Sequence, residues 1–235
     1  MEGYSTSKTE LCQAYDLGII EYNKALQLQG RLVSARLAND IPDIILFLQH
    51  PPVLTIGVFG GEENIIVPRD VLADEGVAIV RTDRGGNITC HEPGQLVGYP
   101  IFNLNTKGRD LHQYVRNLEE VIIRTLSDYS IGAQRDSKHP GVWVRDKKIC
   151  ALGIRVTRWV TKHGFALNVN NELKHFSHVH PCGIANGGVT SMSRLLGHEV
   201  MIKDVMLCIV NHCTQVFNIA VELKSPKQFA KYYAN

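Results

Sequence analysis

The sequence predicts an α+β fold, a mixed β-sheet flanked by helices, built as one domain over residues 1–235. Short apolar runs rich in β-branched residues cluster in both halves of the chain. Long segments with apolar residues at helical spacing stand apart from them, and no repeat, low-complexity tract or Pro/Ser-rich linker interrupts the 235 residues. Apolar residues make up 44% and charged residues 20%, the balance of an ordinary soluble globular chain. The net charge is only +2 with both signs interspersed, so no basic block offers a surface for nucleic acid or membrane.

Taken in order, residues 11–16 read as an edge strand. Residues 22–37 place Ala25, Leu28, Leu32 and Ala35 at helical spacing, with no glycine after Gly30. Asp43-Ile44-Ile45-Leu46-Phe47-Leu48 follows Pro42 as an unbroken apolar run, the pattern of a strand buried on both faces. His50-Pro51-Pro52 ends it, because proline lacks an amide donor and pushes its predecessor toward extended geometry. A strand resumes over 53–58, Pro68 opens a brief helix through Leu72, and 77–81 is another strand.

Residues 95–104 form a strand whose Pro100 argues for a sheet edge. The clearest helix spans 111–129, with Leu111, Tyr114, Val115, Leu118, Val121, Ile122 and Leu126 on one stripe. Strands at 141–144 and 148–156 flank Arg145-Asp146-Lys147 as a hairpin, and 164–169 adds a third. A last helix over 202–217 turns Ile202, Val205, Met206, Ile209, Val216 and Phe217 inward.

The opening MEGYSTSKTELCQAYDLG has neither a basic n-region before an apolar run nor an Arg-rich amphipathic presequence. No segment approaches the roughly 20 apolar residues needed to cross a bilayer. The six cysteines, Cys12, Cys90, Cys150, Cys182, Cys208 and Cys213, contain no CxxC and do not resemble a secreted disulfide framework. A cytoplasmic protein with reduced thiols is expected.

Three segments carry candidate chemistry. In Arg84-Gly85-Gly86-Asn87-Ile88-Thr89-Cys90-His91-Glu92-Pro93-Gly94-Gln95 the paired glycines let backbone amides approach a ligand, though the loop is neither a GxGxxG nor a Walker sequence. An ordinary connection between two strands is the plainer reading of such a loop. Cys182, between Pro181 and Gly183, sits in a turn that can present sulfur to a cleft, whereas most unpaired cysteines are small buried apolar residues. A nucleophilic thiol also needs help to ionise, since its free pKa of about 8.5 leaves little thiolate near neutrality.

Lys148 supplies that help if desolvated near Cys182; it precedes Cys150-Ala151-Leu152-Gly153, residues small enough to leave room for a ligand. The alternation His178, His180, Cys182 also invites a zinc reading, but Pro181 and Gly183 oppose a regular strand and no fourth ligand is evident. No metal is expected. His163 reads equally as a pocket wall or a strand-end surface residue.

Together these segments resemble the lipoyl(octanoyl) transferase family, within the lipoate/biotin protein ligase superfamily. The likeness rests on Gln49-His50-Pro51-Pro52, the Arg84 to Gln95 loop, Gly141-Val142-Trp143, the Lys148 to Gly153 strand, the segment from His163 to Asn168, and Pro181-Cys182-Gly183. By resemblance, Cys182 matches the acyl-thioester cysteine and Lys148 the lysine that lowers its pKa. Arg84, Gly85, Gly86, Asn87, Ile88, Thr89, Cys90 and His91, with Ala151, Leu152, Gly153, Gly164, Phe165 and Ala166, match segments lining the acyl pocket.

The family implies octanoyl-acyl carrier protein as donor. It implies a lysine of lipoyl domains as acceptor, those of 2-oxoacid dehydrogenase E2 subunits and of the glycine cleavage H protein. A monomer is expected, with no cofactor and no nucleic-acid or membrane partner. Two positions depart from the family loop: Cys90 replaces an aromatic, which is expected to alter the acyl pocket, and Glu92 replaces a glycine, which adds a Cβ where the backbone is expected to need positive φ. The rival readings are an ATP-dependent lipoate or biotin ligase, which needs no cysteine, an amidotransferase working between lipoyl domains, and a non-catalytic acyl or lipoyl-domain binder.

Overall fold

The computed structural model describes residues 10–137, 139–180 and 188–229. The first half runs β1 (Leu11–Ile19), α1 (Tyr22–Leu37), β2 (Asp43–Gln49), β3 (Val53–Ile56), α2 (Arg69–Asp74), β4 (Ala78–Arg81), β5 (Ile88–His91) and β6 (Gln95–Ile101). The second runs α3 (Leu111–Asp128), β7 (Gln134–Arg135), β8 (Val142–Val144), β9 (Lys147–Thr157), β10 (Val160–Asn168), α4 (Met192–Leu196), α5 (Ile202–Phe217), β11 (Ala220–Lys224) and α6 (Pro226–Phe229). Eight strands form a mixed sheet in the order β11-β1-β2-β6-β10-β9-β8-β7, and β4-β3-β5 form a second, smaller sheet.

The apolar run of β2 explains how the large sheet is covered on both faces. Ile44, Leu46 and Leu48 pack with Ala25, Leu28 and Leu32 of α1. Ile45 and Phe47 point the other way, into a cluster with Leu118, Val121 and Ile122 of α3 and Val205 and Ile209 of α5. All are buried, as the uninterrupted hydrophobicity predicts. α3 starts at Asp110, whose side chain accepts a hydrogen bond from Gln113 N at 2.9 Å, satisfying one of the free amides of the first turn.

Three expectations are corrected. β1 is not an edge strand, because β11 pairs with it in parallel on its outer side. β11 is short and half-exposed, so it carries no strong apolar signal. Pro100 lies in the sheet interior rather than at an edge, with β6 between β2 and β10. Its carbonyl faces β10, and so does the position of its missing amide. There the regular β6–β10 pairing stops at Gly98–Phe165. Thr161 Oγ1 substitutes by donating to Pro100 O at 2.7 Å and accepting from Phe102 N at 2.9 Å.

The third correction concerns residues 83–95, which are more than a connection: they contain β5, antiparallel to β3. Beyond Ile56 the backbone leaves β3 and pairs with the glycine loop. Gly57 N donates to Asn87 O at 2.8 Å, Val58 N to Arg84 O at 3.0 Å, and Phe59 N to Gly86 O at 3.2 Å. Behind the small sheet, Leu54, Ile56, Leu72 and Cys90 pack with Leu173, Phe176 and Val179. Among the described residues no helix is long and apolar enough to cross a membrane.

Candidate active site

The glycine loop is held from both sides. Arg84, 7% exposed, donates Nε to Thr55 Oγ1 at 3.1 Å and Nη1 to Gly85 O at 3.1 Å, and its Nη2 also reaches the Thr55 carbonyl. The guanidinium thereby fixes the loop to β3. On the other side Gly85 N donates to Ile154 O of β9 at 3.0 Å. Gly153 has to be glycine for this approach, since a Cβ there would stand 2.9 Å from Gly85 O and 3.2 Å from Arg84 Cδ. Gly86 turns the loop at φ +88°, a conformation that side chains rarely adopt.

Beneath the loop lies a cavity of about 980 Å³, at the upper end of the usual size for small-molecule sites. Arg84, Gly85, Gly86, Asn87, Ile88, Thr89 and His91 line it from the loop and β5, and Lys148, Ala151, Leu152, Gly153, Gly164, Phe165 and Ala166 from the large sheet. Of the pocket residues expected from the sequence, Cys90 stands apart. Its side chain is fully buried behind the small sheet and does not reach the cavity wall. Exchange of an aromatic for Cys90 therefore acts on that rear cluster.

Lys148 lies at the rim, half-buried, with Nζ 4.8 Å from the centre of the Trp143 ring. The two face each other across β8 and β9, and a cation over an indole face is held electrostatically. Cys182 and the rest of 181–187 lie outside the described residues. The chain on each side of that segment is anchored. His180 N donates to Asn64 O at 2.8 Å. Lys148 N donates to Gly188 O at 3.0 Å, and Thr190 N to Lys148 O at 3.0 Å. The described chain resumes at Gly188, alongside the backbone of Lys148.

A buried polar network backs the cavity. His91 Nδ1 lies 2.8 Å from Gln95 Oε1, Gln95 Nε2 donates to Asn168 Oδ1 at 2.9 Å, and Asn168 Nδ2 donates to Thr190 O at 3.0 Å. This links the loop to Thr190, whose amide bonds the Lys148 carbonyl. His163 proves to be a cavity wall, 1% exposed, with Nε2 2.8 Å from Asp83 Oδ1. Burial lowers its pKa to about 4 despite Asp83, and burial likewise lowers His50 to about 4. His91 is also pushed down, first by burial and then by neighbouring His50. All three rings are neutral near pH 7.

Cys150 is buried in the main core, its thiol 3.6 Å from Ala151 O, and burial raises its pKa; it does not line the cavity. The zinc alternation read from the sequence is not assembled by its described members, since His178 Nε2 pairs with Glu75 Oε2 at 2.8 Å while His180 is exposed. Glu92 also departs from expectation, as it is absent from the positive-φ residues and Gly94 takes that conformation at φ +88°. The Glu92 carboxylate instead turns inward, accepting from Leu173 N at 2.7 Å and Asn171 Nδ2 at 3.1 Å.

The sequence pointed to the loop and to β9 and β10, but not to the wall contributed by Leu111, Val115 and Glu119 of α3 or by Tyr22 and Tyr99. The α3 stripe was legible only as core. His50, whose Nε2 lies 2.8 Å from the Tyr99 hydroxyl, was visible in the His50-Pro51-Pro52 motif without a role.

A glycine loop held against β3 and β9 over a largely apolar cavity, with a lysine in its wall, defines an α+β domain built to bind a small molecule with an apolar body. The sequence profile of the lipoyl protein ligase A/B catalytic domain matches residues 21–214. The chain is 50% identical over 203 residues to an octanoyltransferase from Caldicellulosiruptor saccharolyticus, covering 86% of each chain. It is 43% identical over 213 residues to an octanoyltransferase from Desulforamulus reducens, covering 90% of this chain and 93% of that one. Among solved structures, a bipartite lipoate protein ligase from Thermoplasma acidophilum superposes with a TM-score of 0.73 at 17% identity, covering 96% of this chain and 95% of that chain, a likeness of fold. The chain belongs to the lipoyl protein ligase A/B catalytic-domain family and, within it, to the octanoyltransferases of lipoate biosynthesis; it is an acyltransferase.

Proposed function

We propose that the chain moves an octanoyl group from octanoyl-acyl carrier protein to a lysine of a lipoyl domain through a thioester on Cys182. The observation that carries this reading is the pairing of Lys148, in the wall of the 980 Å³ cavity, with Gly188 and Thr190, a few residues after Cys182 in the sequence, through the Lys148 N to Gly188 O and Thr190 N to Lys148 O bonds of 3.0 Å.

Lys148 accepts the Cys182 proton, giving an ammonium and a thiolate. The thiolate attacks the carrier thioester, and backbone amides of the glycine loop or near the cysteine stabilise the oxyanion. Lys148 returns the proton to the departing carrier thiolate, leaving octanoyl-Cys182 and a neutral amine. The acceptor lysine attacks that thioester, Lys148 takes the proton, and the Cys182 thiolate is released. Thioester to amide is downhill, so no nucleotide is consumed. Burying the octanoyl tail at about 0.8 kcal/mol per methylene supplies several kcal/mol for holding the donor.

The acceptors are the lipoyl domains of 2-oxoacid dehydrogenase E2 subunits and the glycine cleavage H protein, and the working unit is a monomer formed as one catalytic domain. The described cysteines Cys12, Cys90, Cys150, Cys208 and Cys213 are unpaired, which suits the cytoplasm. The test is a transfer assay with octanoyl-carrier, a lipoyl domain and no nucleotide. Amide product that disappears in Cys182→Ser supports the proposal. A requirement for ATP would identify a ligase. Product formed only from an octanoylated lipoyl domain would identify an amidotransferase.

A further inference from the structure

We propose that Cys90, Glu92 and His175 form a site for a divalent transition metal of the zinc type, separate from the acyl cavity. One sulfur, one carboxylate oxygen and one ring nitrogen from these residues all lie within 4.8 Å of one another. They come from β5, from the turn that follows it and from the short helical turn His175–His178, so the fold gathers them from distant parts of the chain. Cys90 is 0% and Glu92 4% exposed. Neither residue lines the acyl cavity.

The donor set suits zinc, which takes thiolate, imidazole and carboxylate ligands in tetrahedral sites. A Cys90 thiolate and a Glu92 carboxylate balance the dication, so the loaded site is neutral, as a buried position requires. The three protein donors leave a fourth position for water.

The surroundings are arranged as an outer shell. His175 Nδ1 lies 2.7 Å from Glu92 Oε2, and the proton between them is the one a metal replaces. On the far side of the ring, His175 Nε2 faces Glu75 Oε2 at 3.6 Å. That carboxylate is itself held by His178 at 2.8 Å and Lys174 at 2.9 Å. A carboxylate behind a histidine is the usual means of fixing the tautomer of a metal-bound ring. On coordination the His175 proton moves from Nδ1 to Nε2, toward Glu75, and the Cys90 thiol proton is released to solvent. The remaining oxygen of Glu92 is oriented by Leu173 N and Asn171 Nδ2.

A metal here would tie β5 to the segment that runs through His178 and His180 toward Cys182, clamping the base of that segment without touching the acyl group.

The experiment uses the full-length Cys182→Ser chain, so that the proposed nucleophile cannot contribute a thiolate. The protein is stripped with chelator and titrated with Co²⁺, then with Zn²⁺. Expected are one equivalent of Co²⁺ with a thiolate-to-cobalt charge-transfer band, its displacement by Zn²⁺, and a Zn²⁺-dependent rise in Tm. The band and the rise should be lost in Cys90→Ser and in His175→Gln, the second variant guarding against a folding defect in the first. Absence of a band in the Cys182→Ser chain, or a band that survives Cys90→Ser, overturns the site and leaves Cys90 as a packed thiol beside a Glu92–His175 hydrogen bond.

Discussion

The Lys148 ammonium lies 4.8 Å from the centre of the Trp143 indole, on the neighbouring strand at a paired register position. The ring gives the cation a defined seat in the cavity wall, beside the backbone of Gly188 and Thr190. Attraction of this kind amounts to about 0.5–2 kcal/mol. Trp143→Leu should therefore slow acylation of Cys182 about 3- to 30-fold in single-turnover measurements. An unchanged rate would show that the ring does not position the lysine.

Lys148→Ala removes the proton acceptor itself. The pH profile of Cys182 alkylation should move up toward that of a free thiol, near 8.5, and transfer should fall by about 10²–10⁴. An alkylation profile identical to that of the unsubstituted chain would mean that Lys148 does not tune the thiol.

Gly153→Ala places a methyl group 2.9 Å from Gly85 O and 3.2 Å from Arg84 Cδ. The glycine loop has to lift away from β9 to accept it. Thermal unfolding should report a loss of about 1–3 kcal/mol, and the KM for the acyl donor should rise. Retention of both values would show that the loop is not seated on β9 in solution.

Cys150→Ser should leave acyl capture intact, because the Cys150 thiol is buried in the core and held neutral by that burial. Loss of capture with Cys182 present would reassign the nucleophile; acylation monitored by intact mass decides it.

Acid should destabilise the chain in a defined window. His50 and His163 stay neutral in the folded state until pH nears 4, whereas in the unfolded chain each takes up its proton near 6.5. Stability is complete above about 6.5 and falls as pH drops toward 4, by at most on the order of 3 kcal/mol for each ring. Denaturant unfolding between pH 7 and 4 measures this, and His163→Asn should flatten the slope.

The residues that made the fold legible are those whose periodicity is local. Residues 22–37 and 202–217 were predicted as helices and form α1 and α5, and the apolar run at 43–48 forms β2. The misreadings arose where pairing between distant segments decides. β11 is recognisable only once it lies beside β1, and Pro100 is tolerated inside the sheet only because Thr161 occupies the gap in the ladder. In the site, small residues and glycines marked the loop and β9, since close backbone approach demands them. The α3 wall was hidden because Leu111 and Val115 belong to the same stripe that faces the core. The rear position of Cys90 and the inward turn of Glu92 depend on the parity of β5, a strand defined by its pairing with β3 rather than by a local apolar pattern.

The most direct measurement is intact-mass spectrometry of the chain mixed with octanoyl-carrier and no acceptor, followed by peptide mapping. The expected result is one octanoyl group added on the peptide containing Cys182, removed when a lipoyl domain is supplied and absent in Cys182→Ser. No added mass under turnover conditions, or an adduct on any other residue, would contradict the thioester route.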